Sequence, residues 1–196
     1  ASESPGCHDD LVLVDSTPVA CARSIETMRL SQLADAADYG YCTSHSRYFW
    51  GFRLHALFGL DGTPRALQLT SPKASERDVC LTMLARVERH GSLTVVADKG
   101  YAGRDFERAA AELDATICRP RRKDEPGQGP HLAPIRQRIE SIFQTCKDLL
   151  TLERHGARTL PGLGARVALR LLALAAGLWH YAQVGEPGRR FTAYGH

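Results

Sequence analysis

Two short apolar runs, each ending in an aspartate, constrain this chain more than any other feature. Leu11-Val-Leu-Val14 leads into Asp15-Ser-Thr-Pro18, and Leu93-Thr-Val-Val-Ala97 leads into Asp98-Lys-Gly-Tyr101. Runs of this length with little polar alternation read as strands covered on both faces, the pattern of central strands in an α/β sheet. Such strands require helices on either side. If both are central and parallel, their carboxylates emerge at one edge of the sheet, where open α/β sheets bind ligands. Taken singly, each aspartate is explained as well by capping the turn after its strand.

The segments between and after these runs supply the helices. Residues Tyr48 to Gly59 and Arg65 to Thr70 flank Asp61-Gly62 and read as a hairpin. Between Cys21 and Ser46 the chain is polar, with one short helical piece near Ile25 to Ala37. Ser75 to His90 carries Val79, Met83, Leu84 and Val87 at helical spacing, with Gly91 as a stop. Arg104 to Leu113 reads as a helix and Ala115 to Cys118 as a short strand. Arg119 to Pro130 is a Pro/Gly-rich loop with Arg119, Arg121, Arg122 and Lys123. Pro134 opens a helix to about Leu152, and a last helix covers Leu163 to Tyr181. The expected organisation is a leader over residues 1–10, one domain over 11–184, and a loose tail over 185–196.

Composition narrows the class without deciding it. The 196 residues are 43% hydrophobic and carry 25 basic against 22 acidic side chains, a net charge of +3. That total is too small to argue for nucleic acid unless the cations cluster. The opening residues Ala1 to Asp10 have neither the basic start nor the apolar run of a signal peptide. Six scattered cysteines, none in a C-x-x-C pair, read as reduced thiols of a cytosolic protein. Cys42 and His45 are spaced like half of a zinc site, but no second half occurs at standard spacing. The apolar stretch Val167 to Val184, interrupted by Arg170, reads as a buried helix rather than a bilayer span.

A third acid lies on the helix after Pro134. At 100° per residue, Arg136, Glu140, Phe143 and Lys147 fall on one narrow face, and Ile139, Ile142, Cys146 and Leu149 form the neighbouring apolar face. This helix can pack on the sheet while aiming Glu140 along its edge. The plainer alternative is a solvated Arg136–Glu140 pair, contributing only a few tenths of a kcal/mol. If Asp15 and Asp98 do share one edge, they repel each other, and Mg²⁺, which prefers carboxylate oxygens, would remove that repulsion.

Four motifs occur in order: Val14-Asp-Ser-Thr-Pro-Val19, Tyr48-Phe-Trp-Gly-Phe-Arg-Leu-His55, Ala97-Asp-Lys-Gly-Tyr101, and Arg136-x3-Glu140-x6-Lys147. Together they resemble the DDE transposases of bacterial insertion sequences, in the superfamily typified by insertion sequence 4. Arg154-His-Gly-Ala-Arg-Thr-Leu160 resembles the branch of insertion sequence 982. The resemblance runs from about Leu11 to Tyr181. At the position of the family's Tyr, three residues before the Arg, this chain has Ala133. The family's full-length proteins also carry a helical N-terminal region that binds transposon ends, which these residues do not include.

The resemblance implies a ribonuclease H-like fold: a mixed sheet flanked by helices, with a C-terminal helical pair. It implies Asp15, Asp98 and Glu140 as the catalytic acids and the ligands of Mg²⁺ or Mn²⁺, two ions in all, for DNA cleavage followed by strand transfer. Lys99, Tyr101, Arg136 and Lys147, with the Arg119, Arg121, Arg122 and Lys123 loop, are the expected DNA contacts. The implied partners are transposon ends and target DNA, with a homodimer as the active complex and no membrane. The implied location is the bacterial cytoplasm, at the nucleoid. A ribonuclease H-like nuclease that does not join, and a non-catalytic DNA-binding remnant of a mobile element, are the competing readings.

Overall fold

The computed structural model describes residues 10–42, 46–88, 90–122, 125 and 132–185. The expected leader up to residue 9, the loose tail beyond Gly185, His45 of the half zinc site and Lys123 of the basic loop lie outside the described residues.

The elements run β1 (Leu11–Ala22), α1 (Ile25–Leu30), β2 (Asp38–Cys42), β3 (Arg47–Gly59), β4 (Pro64–Thr70), α2 (Glu76–Leu84), β5 (Leu93–Val96), α3 (Arg104–Glu112), β6 (Ala115–Cys118), α4 (Ala133–Asp148) and α5 (Leu160–Val184). The sheet order is β2-β3-β1-β5-β6. β3 lies antiparallel to β1 on one edge, while β2 and β4 share successive stretches of its other edge. β1, β5 and β6 are parallel. This is the mixed sheet of the ribonuclease H-like expectation.

Strand alternation divides the interior into two cores. On one face, Leu13, Phe58 and Val96 meet Ile139, Ile142, Phe143 and Cys146 of α4 and Leu163, Val167, Leu171 and Leu174 of α5. Phe58 and Phe143 form an edge-to-face pair, ring centroids 5.5 Å apart, an arrangement that adds about 0.5–1.5 kcal/mol beyond area burial. On the other face, Val12, Val14 and Val95 meet Val79, Cys80, Met83 and Leu84 of α2 and Phe106 and Ala110 of α3.

Four expectations about the elements change. β1 does not end at Asp15 but continues to Ala22, because β3 accompanies it along that whole length. α2 stops at Leu84 rather than near Gly91: Arg86 N–H bonds back three residues to Met83, while Val87 bonds back four to the same carbonyl. Val87 is thus buried from a loosening turn. α4 ends at Asp148, because Thr151 takes a left-handed conformation, φ 52°. Its apolar seam therefore loses Leu149, which is 58% exposed, and Leu152 of the following 3₁₀ turn fills the core instead.

α5 is not buried all round. Leu163, Val167, Leu171, Leu174 and Tyr181 make one buried stripe, whereas Leu169 and Leu172 face outward. By length and composition alone α5 is long and apolar enough to cross a membrane. Its inner stripe is nevertheless part of the α4-side core.

Candidate active site

The register of β1 on β5 aligns the two aspartates. Their last paired residues are Leu13 and Val96, and Asp15 and Asp98 each follow two positions later. Beyond that point β1 keeps only its antiparallel neighbour β3. The aspartates therefore flank the place where two parallel strands part, which is where a sheet opens a crevice. Alternation sends Asp15 the way of Leu13 and Asp98 the way of Val96, onto the face that α4 covers.

α4 completes the crevice. Pro134 lies in its first turn, where the missing N–H costs nothing. Its apolar residues press on the sheet, which leaves Arg136 half-buried and Glu140 exposed at the rim. Asp15, Asp98, Arg136 and Glu140 line one small cleft floored by Leu13, Val96 and Ile139. Arg136 and Glu140 do not form the expected alternative ion pair among the described residues. Phe143 turns into the core instead of sharing their outward stripe.

Each aspartate is oriented locally through one oxygen. Asp15 Oδ1 accepts the Ser16 N–H at 2.7 Å. Asp98 caps a 3₁₀ turn over Lys99–Tyr101, its Oδ1 accepting the Gly100 N–H at 2.7 Å. A Cβ at position 100 would stand 2.9 Å from that oxygen, so a larger residue there would push the Asp98 carboxylate aside. Capping a turn and lining the cleft are thus compatible roles for Asp98. The second oxygen of each aspartate has no hydrogen-bond partner among the described residues.

The Asp15 carboxyl is pushed up to about 7. Burial is the largest cause, the Ser16 N–H opposes it, Asp98 and Glu76 add repulsion, and Arg136 offsets part of that. A buried acid beside two others is a site that a cation would relieve. The donors are hard carboxylate oxygens, and they fit Mg²⁺ or Mn²⁺. Among the described residues, no three His, Cys, Asp or Glu side chains are already gathered into a metal cage. Glu140 at the rim would have to move in as the third ligand. His55, opposite Ser16 in register, is buried, and burial pushes it down to about 4, so it is neutral at physiological pH.

The chain belongs to the transposase DDE domain family. The sequence profile of that family, described as "Transposase DDE domain", matches residues 6–176. Among proteins of curated function none matches. Two solved structures are similar to this DDE domain at low identity. One is the piggyBac transposase synaptic complex with hairpin DNA (11% identity, TM-score 0.41, 60% of this chain and 24% of that one). The other is the simian T-cell lymphotropic virus intasome in complex with the PP2A regulatory subunit B56 gamma (13%, TM-score 0.42, 86% and 49%). The DDE domain thus spans about a quarter of the first and about half of the second.

The expected DNA contacts divide into three groups. Lys99 is exposed, Arg121 and Arg122 are exposed on the neighbouring loop, and Arg136 lines the cleft. Arg122 points its guanidinium at the Lys99 carbonyl, 3.4 Å away. Lys147 is largely covered, its Nζ 3.7 Å from Glu153. Two expectations are corrected. Tyr101 is 1% exposed in the α2-side core, which leaves DNA no surface of it to touch in this structure; among the described residues its buried hydroxyl has no partner. Arg119 is not a free cation of the loop. Glu107 at 2.8 Å and Glu125 at 2.7 Å enclose its guanidinium, and only 13% of its side chain is exposed.

Sequence reasoning did not single out Glu76, although it is close enough to act on the Asp15 carboxyl. Its local signal, an acid following the N-cap Ser75, is that of any helix start. Its partners lie on distant strands.

Proposed function

We propose that this domain cuts DNA strands and joins the freed end to target DNA, using divalent cations held by Asp15, Asp98 and Glu140. The observation that carries this reading is the single cleft shared by the three acids and Arg136. A divalent cation there supplies neutralisation of phosphate charge and a more acidic bound water. Asp15 and Asp98 each offer the oxygen that their local N–H leaves unused. Glu140 closes the site from α4. Arg136 presents a planar cation to the non-bridging phosphate oxygens, which it can grip in pairs. Lys99 holds the flanking backbone from the turn that Asp98 caps. The same acids serve cleavage and joining, so no covalent protein–DNA intermediate is required.

The finer reading is an insertion-sequence transposase of the insertion sequence 4 superfamily, nearest the insertion sequence 982 type. It uses two Mg²⁺ or Mn²⁺ ions, works as a homodimer on transposon ends and target, and acts at the bacterial nucleoid. The order of motifs from Val14 to Lys147 supports it.

The test is a gel assay with end-labelled DNA. Nicking with Mg²⁺ or Mn²⁺, little with Ca²⁺, and longer joined products are the expected result. Undiminished cleavage in excess EDTA would show that the mechanism is wrong. Cleavage without joined products would favour a plain nuclease.

A further inference from the structure

The first turn of α2 touches the supports of both aspartates, on the sheet face away from the cleft. On the β1 side, the amide that orients Asp15 belongs to Ser16. Alternation turns the Ser16 side chain to the α2 face, where its Oγ donates to Glu76 Oε1 at 2.7 Å. Arg53 of β3 closes a triangle: its Nη1 donates to Glu76 Oε1 at 2.6 Å and to Ser16 Oγ at 3.1 Å. Its Nη2 donates to the Tyr41 carbonyl at 3.1 Å.

The next residue of α2 reaches the other strand. Arg77 Nη1 donates to the carbonyl of Ala102 at 3.1 Å. Ala102 caps the turn that Asp98 opens, and its N–H bonds back to Lys99. A Cβ at Gly103 would come within 2.9 Å of Arg77 Nη1, so glycine there makes room for the guanidinium. Consecutive residues of one helix thus fasten the segment carrying Asp15 and the segment carrying Asp98. β1 and β5 share no hydrogen-bonded pair beyond Leu13 and Val96. The sheet ladder itself therefore does not fix how far apart the two carboxylates stand.

We propose that Glu76 and Arg77 are positioning residues that set the spacing of Asp15 and Asp98 for the cation. This rests on the reading of those aspartates as cation ligands. On this proposal both act through their hydrogen-bond partners and not on the cation directly. Glu76 acts through Ser16, and Arg77 through the Asp98 turn. Groups that orient metal ligands typically change metal affinity by about 10–100-fold when removed.

The experiment measures Mn²⁺ binding by calorimetry, beside the Mn²⁺ concentration for half-maximal DNA cleavage. Glu76→Ala and Arg77→Ala should each raise both midpoints about tenfold or more, with turnover at saturating Mn²⁺ changed far less. Arg77→Lys, which keeps a cationic donor, should recover part of the affinity. Ser16→Ala and Glu76→Ala together should cost no more than the larger single effect, because they act along one path. If Glu76→Ala does not fold, Glu76→Gln serves: it keeps an oxygen acceptor, loses the ion pair to Arg53, and should shift the midpoint in the same direction. Unchanged Mn²⁺ affinity in folded variants, whatever their melting temperature, would overturn the clamp. So would full additivity of the Ser16 and Glu76 effects. Wild-type protein that binds no Mn²⁺, with Asp15→Asn making no difference, would overturn the cation reading itself. Wild-type binding that Asp15→Asn abolishes but Glu76→Ala and Arg77→Ala leave intact would overturn the clamp alone.

Discussion

The cleft and the loop after β6 contain the same kinds of charged group, with opposite outcomes. In the loop, Arg119 is enclosed by two carboxylates from its own chain. The Glu125 hydrogen bond, first, and that from Glu107 hold the guanidinium charged, while Arg119 draws Glu125 down to about 2. In the cleft, burial first, and then the neighbouring acids Asp98 and Glu76, push the Asp15 carboxyl up, and Arg136 offsets only part of that. Where the chain supplies the counter-charge, the cluster is structural. Where it does not, the counter-charge has to come from outside, and that separates a site from a brace.

The strongest way to break this contrast is Asp98→Asn. If the cleft exists to hold a cation, the substitution should lower cleavage by about 10²–10³-fold or more. Melting temperature in EDTA should hold or rise, since one member of a repelling cluster becomes neutral. A large fall in melting temperature would make Asp98 a structural brace like Arg119.

Next in size is the pH dependence of Asp15. Its folded pKa, about 7, lies above the ordinary carboxylate value of 3.8. The folded state therefore holds the proton more tightly, and wild-type stability is lost as pH rises from about 4 to about 7. Asp15→Asn removes that loss. In EDTA at pH 8 the variant should melt about 5–10 °C higher than wild type, with the gap closing towards pH 4. Adding Mg²⁺ should raise the wild type and not the variant. Equal melting curves at all pH values would place Asp15 in ordinary solvent.

Arg119→Ala sharpens the other side. It should lower the melting temperature by about 2–4 °C, because Glu107 and Glu125 lose their shared partner, and leave the salt dependence of DNA binding unchanged. The smallest effect is expected from Arg121→Ala with Arg122→Ala. If both touch phosphate, the slope of log K against log salt should flatten by about two, since each contact contributes ~0.9, with turnover at saturation preserved. If Arg119→Ala flattens the slope as well, the division within this loop is wrong.

Much of the cleft was legible because it is built from short-range patterns. The apolar runs before Asp15 and Asp98 and the helical stripe of Arg136 and Glu140 are each contained within a few residues. Period 2 and period 3.6 are local properties of the backbone. They determined the central strands and the helix that carries Glu140.

Only the tertiary structure decided which groups meet. Ser16 and Glu76 are 60 residues apart, and Arg53 and Glu76 are 23 apart. No periodicity links them; the sheet order β3-β1-β5 and the crossing of α2 do. The same holds for Arg119, whose residue type reads as a DNA contact and whose packing against α3 gives it Glu107 instead. It holds for Tyr101, carried into the core by the turn that Asp98 caps, and for Leu149, displaced by Leu152 once Thr151 ends the helix path. The sequence determines which elements form and which face of each is apolar, because those depend on neighbours in the chain. Which charge is matched and which is left for a cation depends on neighbours in space, and the packing of the two cores selects those.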